Sequence, residues 1–275
     1  MRATTAVVLA RGLGTRMRAE APDAPVAGLT AEQRSAARAG AKGLIPVGGT
    51  PLLDHVLHEL AEGGVRTVVF VVAPGDSALR DRYLRVAPPG RLQVRFVEQA
   101  EARGTADALL AARAAIAPGE EFLMLNADNL YPSDAVAALV ALDGPGLVAF
   151  EARALSEQGN VEPERVMRFA LLDLAPDGTL REIVEKPAAD HPLARAAERW
   201  VSMNLWRFHP RIFADCARVR PSARGELELA DAVREAIARG ERFRAVRQRA
   251  GVLDLSSQGD VAAVDALLAG RSPRP

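Results

Sequence analysis

Residues 9–18 read LARGLGTRMR and directly follow a short apolar run, 5–10, with the composition of a buried strand. Gly12 and Gly14 let the backbone turn tightly and approach a ligand, while exposed amides and Arg16 supply positive charge. The stretch reads as a phosphate cradle at a strand end, which points to an α/β protein. Two other glycine-rich loops fail on spacing. A dinucleotide fingerprint needs a third glycine where Met17 stands and an acidic residue ending the next strand, and neither is evident. A Walker A loop needs Gly-Lys followed by Ser or Thr, whereas the only nearby lysine, Lys42, is followed by Gly43.

Beyond this loop, short β-rich apolar runs alternate with longer stretches of helical period, the pattern of a largely parallel sheet covered by helices. Strands are expected at 5–10, 67–73, 92–98, 121–126, 147–152, 167–173 and 201–208, and helices at 51–61, 76–85, 105–116, 133–142, 226–239 and 260–268. The helix at 51–61 opens on Pro51 and carries Leu53, Val56, Leu57 and Leu60 on one face. Leu229, Val233, Ala236 and Ile237 make the stripe of the helix at 226–239, which Gly240 stops. Residues 19–41 are rich in Ala, Pro and charge, yet Thr30 and Gln33 have capping-box spacing, so a short helix is expected inside a lid-like loop. The polar segment 154–165, with Gly159 and Pro163, is expected to cross the surface. There is no internal repeat, so one domain is expected over 1–270, with 271–275 a frayed tail.

Composition narrows the partners. In 275 residues, 49% are apolar and 25% charged, and basic and acidic residues number 35 each. Such a balance lacks the basic excess that nucleic acid or an anionic membrane requires, so small ligands are expected. A lone cysteine, Cys216, allows no intrachain disulfide and reads as a buried thiol, in keeping with a cytoplasmic location. The apolar run 6–10 is too short for a membrane span or a signal peptide. His55, His58, His191 and His209 lack zinc-ligand spacing, and no Gly-x-Ser-x-Gly elbow is present. Arg242, Arg244, Arg247 and Arg249 read as one face of a solvated edge strand.

Residues 42–53, KGLIPVGGTPLL, retain a lysine in a chain that uses arginine almost everywhere else, which suggests that a flexible point charge is wanted. LARGLGTRMR followed by KGLIPVGGTPLLDHVL resembles the two opening signatures of the sugar-1-phosphate nucleotidylyltransferases, or nucleotide-sugar pyrophosphorylases. The likeness continues in the family's order along nearly the whole chain. Residues 98–109, EQAEARGTADAL, resemble its nucleoside-binding stretch, and 125–130, LNADNL, its aspartate strand end. VEKP at 184–187, SMNLWRF at 202–208 and GELELADAV at 225–233 are similar to its sugar-side motifs, and VLDL at 252–255 falls where a second metal aspartate is placed.

The resemblance implies a Rossmann-like three-layer α/β sandwich with a mixed, mostly parallel sheet, of glycosyltransferase A-like nucleotidyltransferase type. It also implies Mg2+ on Asp128 and Asp254, and a nucleoside triphosphate and a sugar 1-phosphate as ligands. A homo-oligomer is left open. By motif position, Leu9, Ala10, Arg11, Gly12, Gly14 and Thr15 line the nucleotide. Arg16 contacts the triphosphate, Lys42 the pyrophosphate end, Gln99, Gly104 and Thr105 the nucleoside, and Lys186 the sugar phosphate. Glu185 and Ser202 hydrogen-bond sugar hydroxyls beside Asn204. Gln99 with 104–106 leans toward uracil or thymine, and a guanylyl enzyme stays open.

Residue chemistry agrees with this. An oxygen of the sugar phosphate must attack the α-phosphorus of the triphosphate in line, so two anions meet, and a divalent metal with cationic side chains must neutralise them. Magnesium takes one or two carboxylates plus phosphate oxygens, and Asp128 follows an apolar run at a strand's carboxyl end, where open α/β sheets bind ligands. Three residues depart from the family's pattern. Arg11 replaces a small residue in the phosphate turn, Asn126 a glycine before Asp128, and Asn204 a glycine in the sugar strand, where its amide is expected to face the sugar. These departures motivate a rival, a non-catalytic nucleotide or nucleotide-sugar binding protein of the same fold. Paired metal aspartates favour transfer over binding alone.

Overall fold

The computed structural model describes residues 3–12, 17, 29–40 and 42–275. Strand β1 (Thr5–Leu9) lies inside a nine-stranded sheet, with β4 (Thr67–Val72) and β6 (Phe122–Asn126) parallel to it on either side. β5 (Gln93–Glu98) continues the parallel half beyond β4. On the far side of β6, β11 (Trp200–Phe208) runs antiparallel and pairs with β8 (Gly146–Glu151) and β9 (Ala170–Leu174). β10 (Leu180–Glu185) follows β9, and β12 (Arg244–Gln248) runs parallel to β8 at an edge, where Arg247 lies over Trp200 and Arg249 pairs with Glu198. Within this sheet, only β10 and β11 oppose the common strand direction.

The unbroken apolar runs of the central strands follow from burial on both faces. Ala6, Val8, Val68, Phe70, Leu123 and Leu125 enter one core, and Val7, Val69, Val71, Phe122 and Met124 the other. The first core is covered by α1 (Ala31–Ala39), α2 (Leu52–Glu62), α4 (Ser133–Ala141) and α6 (Gln258–Leu268). The second is covered by α3 (Thr105–Ala111), α5 (Leu229–Ala238) and the short turn Ile212–Cys216. The result is a three-layer α/β sandwich. Among the described residues no helix is long and apolar enough to cross a membrane.

Local chemistry explains the elements. Thr30 and Gln33 form the expected capping box, with the Gln33 amide N–H on Thr30 Oγ1 (3.2 Å) and the Thr30 N–H on Gln33 Oε1 (2.9 Å). β2 (Pro46–Val47) and β3 (Thr50–Pro51) close a hairpin over Gly48 and Gly49, both at positive φ (61° and 86°), as a tight two-residue turn requires. His55 is buried on this hairpin, its Nε2 2.8 Å from Thr50 Oγ1 and 3.0 Å from the Val47 carbonyl. Burial pushes the Cys216 thiol up to about 12, so it is inert.

Several expectations are corrected. The segment 154–165 does not simply cross the surface: it forms a helical turn, Ala152–Glu157, and starts a 3-10 helix, Pro163–Arg168, burying Leu155, Val161 and Val166. That 3-10 helix delays β9 to Ala170, against the expected strand at 167–173. β10 is a strand not foreseen from the sequence. The tail expected to fray is tied down, with the Gly90 N–H donating to the Pro275 carbonyl (2.9 Å) and the Arg274 N–H to His58 Nδ1 (3.3 Å).

Asn204 sits where β11 breaks register, between Ser202 and Trp206, at φ 60°. A left-handed backbone suits glycine first and asparagine next, which accounts for an asparagine where a glycine was expected. Its side-chain oxygen accepts from Trp206 Nε1 (3.4 Å). Asn204→Gly should keep stability within about 1 kcal/mol, whereas Asn204→Val should cost about 1–2 kcal/mol, read from urea denaturation midpoints. Equal stability of the two variants contradicts the backbone argument.

Candidate active site

Asp128 and Asp254 meet at the carboxyl edge of the sheet. β7 (Asn129–Leu130) pairs antiparallel with β13 (Leu253–Asp254), setting Asp254 opposite Asn129, and the Leu255 N–H donates to the Asp128 carbonyl (2.9 Å). The Asp254 carboxylate is buried and accepts from Asn129 Nδ2 (3.0 Å), Ser256 Oγ (2.8 Å) and the Arg165 guanidinium. Arg165 also reaches Asp260 (2.5 Å), while Asn160 grips the Asp254 backbone through both its amide groups (2.7 and 2.9 Å). Burial, then the nearby charge of Asp128, pushes the Asp254 carboxyl up to about 6 against the pull of Ser256 and Arg165.

Lys42 opens the 3-10 turn Lys42–Leu44 and places Nζ 3.1 Å from Asp128 Oδ2. Gly43 makes this placement available, since a Cβ there would come within 2.4 Å of the Leu53 side chain on α2. Asp128 Oδ1 has no partner among the described residues. Two repelling carboxylates with a free oxygen suit a divalent cation that completes its shell with water and phosphate. Among the described residues no third His, Cys, Asp or Glu joins them.

The nucleotide side lies along the same edge. The Ala10 N–H donates to the Val71 carbonyl (2.8 Å) and the Gln99 N–H to the Val72 carbonyl (3.0 Å), which seats Ala10 and Gln99 on either side of the end of β4. Leu9 pairs with Val71 and Asn126, and Gly12 is exposed. Gly14, Thr15 and Arg16 lie outside the described residues. Gln99 is buried, and its Nε2 donates to Asp107 (2.8 Å) and the Gly104 carbonyl (3.3 Å). Gly104 has φ 122°, and a Cβ there would lie 2.5 Å from the Leu227 carbonyl. The close approach lets the Ala106 N–H donate to Leu227 (2.9 Å) and the Leu229 N–H to Thr105 Oγ1 (2.9 Å). Thr105 Oγ1 thus accepts from the first turn of α5.

Glu185 and Ser202 pair with Ala170 from opposite sides of β9, so the strand order brings these two sugar-side residues together. Lys186 follows at φ 46° and is exposed. The Arg224 guanidinium lies 2.6 Å from Glu228, 3.8 Å from Glu226 and 4.0 Å from Glu185. Burial first, then the Glu228 charge, pushes the Glu185 carboxyl up to about 7, with Arg224 opposing.

The sequence profile described as Nucleotidyl transferase matches residues 34–264. The chain belongs to the nucleotidyl transferase family. UTP–glucose-1-phosphate uridylyltransferase AglF of Haloferax volcanii is 28% identical over 258 residues, covering 93% of this chain and 92% of that protein. The bifunctional protein GlmU of Methanococcus vannielii is 26% identical over 232 residues, 84% of this chain, which spans about half (47%) of the GlmU length. A solved UDP-glucose pyrophosphorylase complexed with UDP-glucose has the same fold, with TM-score 0.74, 20% identity and coverage of 98% of this chain and 99% of that one.

This nucleotidyl transferase also uses residues that the sequence did not single out. Asn129, Ser256 and Arg224 lie within or beside the quoted motifs, so proximity was an available signal. Arg165 and Asn160 come from a polar segment, and nothing local marks them. The raised Glu185 carboxyl has a pH consequence. Because its folded value of about 7 exceeds the ordinary 4.5, it holds a proton in the folded state that the unfolded chain has lost, so stability falls as pH rises between those values. Glu185→Gln should remove that fall, gaining on the wild type above about pH 7 and matching it near pH 4, in denaturant titrations at both pH values. A constant offset between the two proteins across the window refutes the assignment.

Proposed function

We propose that this nucleotidyl transferase is a cytoplasmic sugar-1-phosphate nucleotidylyltransferase, joining UTP or dTTP to a sugar 1-phosphate and releasing pyrophosphate. The observation that carries the reading is the order of groups along the sheet edge. Gln99 ends β5, the Leu9–Gly12 turn ends β1, Asp128 and Lys42 stand at β6, and Ser202 and Glu185 flank β9. Base, bridging phosphates and sugar follow one another in the same order in a nucleotide sugar.

Each residue has a definite task. With the Gln99 amide nitrogen spent on Asp107 and Gly104, its carbonyl oxygen remains to accept from a base, as the N3–H of uracil or thymine offers and cytosine does not. The uridylyltransferase name of the Haloferax relative supports the same choice. Asp128 and Asp254 would hold Mg2+, which when bound neutralises charge on the reacting phosphates. Lys42, a rotatable point charge, exchanges Asp128 for the departing pyrophosphate, where negative charge grows. Exposed Lys186 anchors the sugar phosphate, an anion present before and throughout reaction.

A pyrophosphate-release screen of the common triphosphates against a panel of sugar 1-phosphates, with magnesium, tests the reading directly. Turnover should appear with UTP or dTTP, and Asp128→Ala should abolish it while leaving the thermal transition in place. Most of the wild-type rate surviving in Asp128→Ala sinks the assignment. The two lysines separate further. Lys42→Ala should depress kcat, and Lys186→Ala should raise chiefly the KM for sugar 1-phosphate, each by about tenfold to a hundredfold for one charge-assisted contact. If Lys42→Ala raised only the sugar KM and Lys186→Ala only the triphosphate KM, the two ligands are placed the wrong way round.

A further inference from the structure

The Arg11 side chain leaves the end of β1 and crosses toward β5, where Nη2 donates to the Ala100 carbonyl at 3.0 Å. Ala100 follows Gln99, and Ala10 and Gln99 are both bonded to the end of β4, so the guanidinium reaches across that strand end to the residue next to Gln99. It points away from β6 and Asp128, which lie on the opposite side of β1. Arg11 Nε and Nη1 are buried and have no hydrogen-bond partner, and among the described residues they are the only buried side-chain nitrogen or oxygen atoms of which this is true. Among the described residues no carboxylate pairs with it either. Leaving charged donors buried and unpaired is costly, and such groups persist in native proteins where a ligand supplies the missing acceptors.

We infer that Arg11 is a nucleoside-reading residue particular to this chain, donating Nε–H and Nη1–H to oxygen acceptors of the base or ribose rather than to the triphosphate. The inference rests on the transferase reading and deepens it. A guanidinium carries only donors, so it pairs with carbonyl or sugar oxygens and repels an exocyclic amine. Beside it stands Gln99 with a carbonyl free to accept. Donors next to an acceptor complement a carbonyl beside a ring N–H, the edge that uracil and thymine present. Position 11 takes a small residue in the resembling family, so backbone groups alone face the nucleotide there. In this chain a side chain extends that contact and is braced by Ala100.

Thermal denaturation of wild type and Arg11→Ala, each alone, with UMP and with inorganic tripolyphosphate, tests the assignment. Free Arg11→Ala should melt at or above the wild-type temperature, because two orphaned donors are removed. Its stabilisation by UMP should be lost while that by tripolyphosphate is kept. In steady state the KM for UTP should rise about tenfold to a hundredfold, with the KM for sugar 1-phosphate unchanged. A lower melting temperature with an unaltered UMP response makes Arg11 a structural brace and overturns the inference. Loss of the tripolyphosphate response with UMP retained moves Arg11 to the phosphates, which overturns it equally. If the wild type is stabilised by none of UTP, dTTP, CTP and GTP, the transferase reading itself fails and this assignment with it.

Discussion

Asp128 and Asp254 repel one another, and much of the architecture around them is arranged to hold them together. The β7–β13 ladder fixes their backbones, and Asn160 clips Asp254 from the side. Arg165 bridges Asp254 to Asp260 in the first turn of α6, so the electrostatic clamp is continuous with a helix that buries Val261, Val264 and Leu268. From α6 the ties spread. Asp265 accepts from the Gly48 N–H (3.0 Å) and Gln33 Nε2 (3.3 Å), and Gln258 Nε2 donates to the Met17 carbonyl (2.7 Å). The helix α6 thereby fastens the hairpin before α2, the helix at Ala31–Ala39 and Met17. Tyr131 closes the inner wall. Its hydroxyl donates to the Met203 carbonyl (2.6 Å), and burial with the nearby Asp128 charge keeps it un-ionised.

β11 connects the half of the sheet that carries Asp128 to the half that carries Glu185. Its last residues pair with β6, which leads to Asp128, and its first residues pair with β9, which leads to Glu185. A straight strand offers one edge to one neighbour. The break at Asn204 lets the two halves of one edge serve two neighbours while the other edge stays on β8. The local backbone conformation at a single residue therefore sets where the sugar-side residues stand relative to the carboxylates.

Legibility in the sequence followed burial. β1, β4 and β6 are buried on both faces, so their composition alone marks them, and the ends of β1 and β6 locate Leu9 and Asp128. β10, LREIVE, exposes Arg181 and Glu182 in succession, which hides the alternation of a half-buried strand. Arg165 lies 89 residues from Asp254 and has no motif around it, so only the folded chain reveals the pair. Asn204 was visible as a departure, and its backbone angle of φ 60° became visible only in the folded chain. That angle explains its presence. The bond from the Leu229 N–H to Thr105 Oγ1 joins residues 124 apart, so the sequence could not show it.

The two lysines of the chain, Lys42 and Lys186, stand against a cationic complement of 35 that is otherwise arginine. The contrast has a physical basis in the site. Arg165 holds two carboxylates at once through a planar fork, and Arg207, fully buried, grips Glu121 and the Val140 carbonyl at the end of α4. Those are fixed tasks, for which a rigid guanidinium with several donors loses little freedom per bond. Lys42 has a single contact to a carboxylate that is 27% exposed, and Lys186 has an exposed ammonium. A compact charge on a flexible stem can leave one oxygen and meet another as charge moves. Arginine at position 42 would resist that exchange, because its fork would bind Asp128 too completely to release it. Arginines thus hold the site's frame, and Lys42 keeps a rotatable charge on a partly exposed carboxylate.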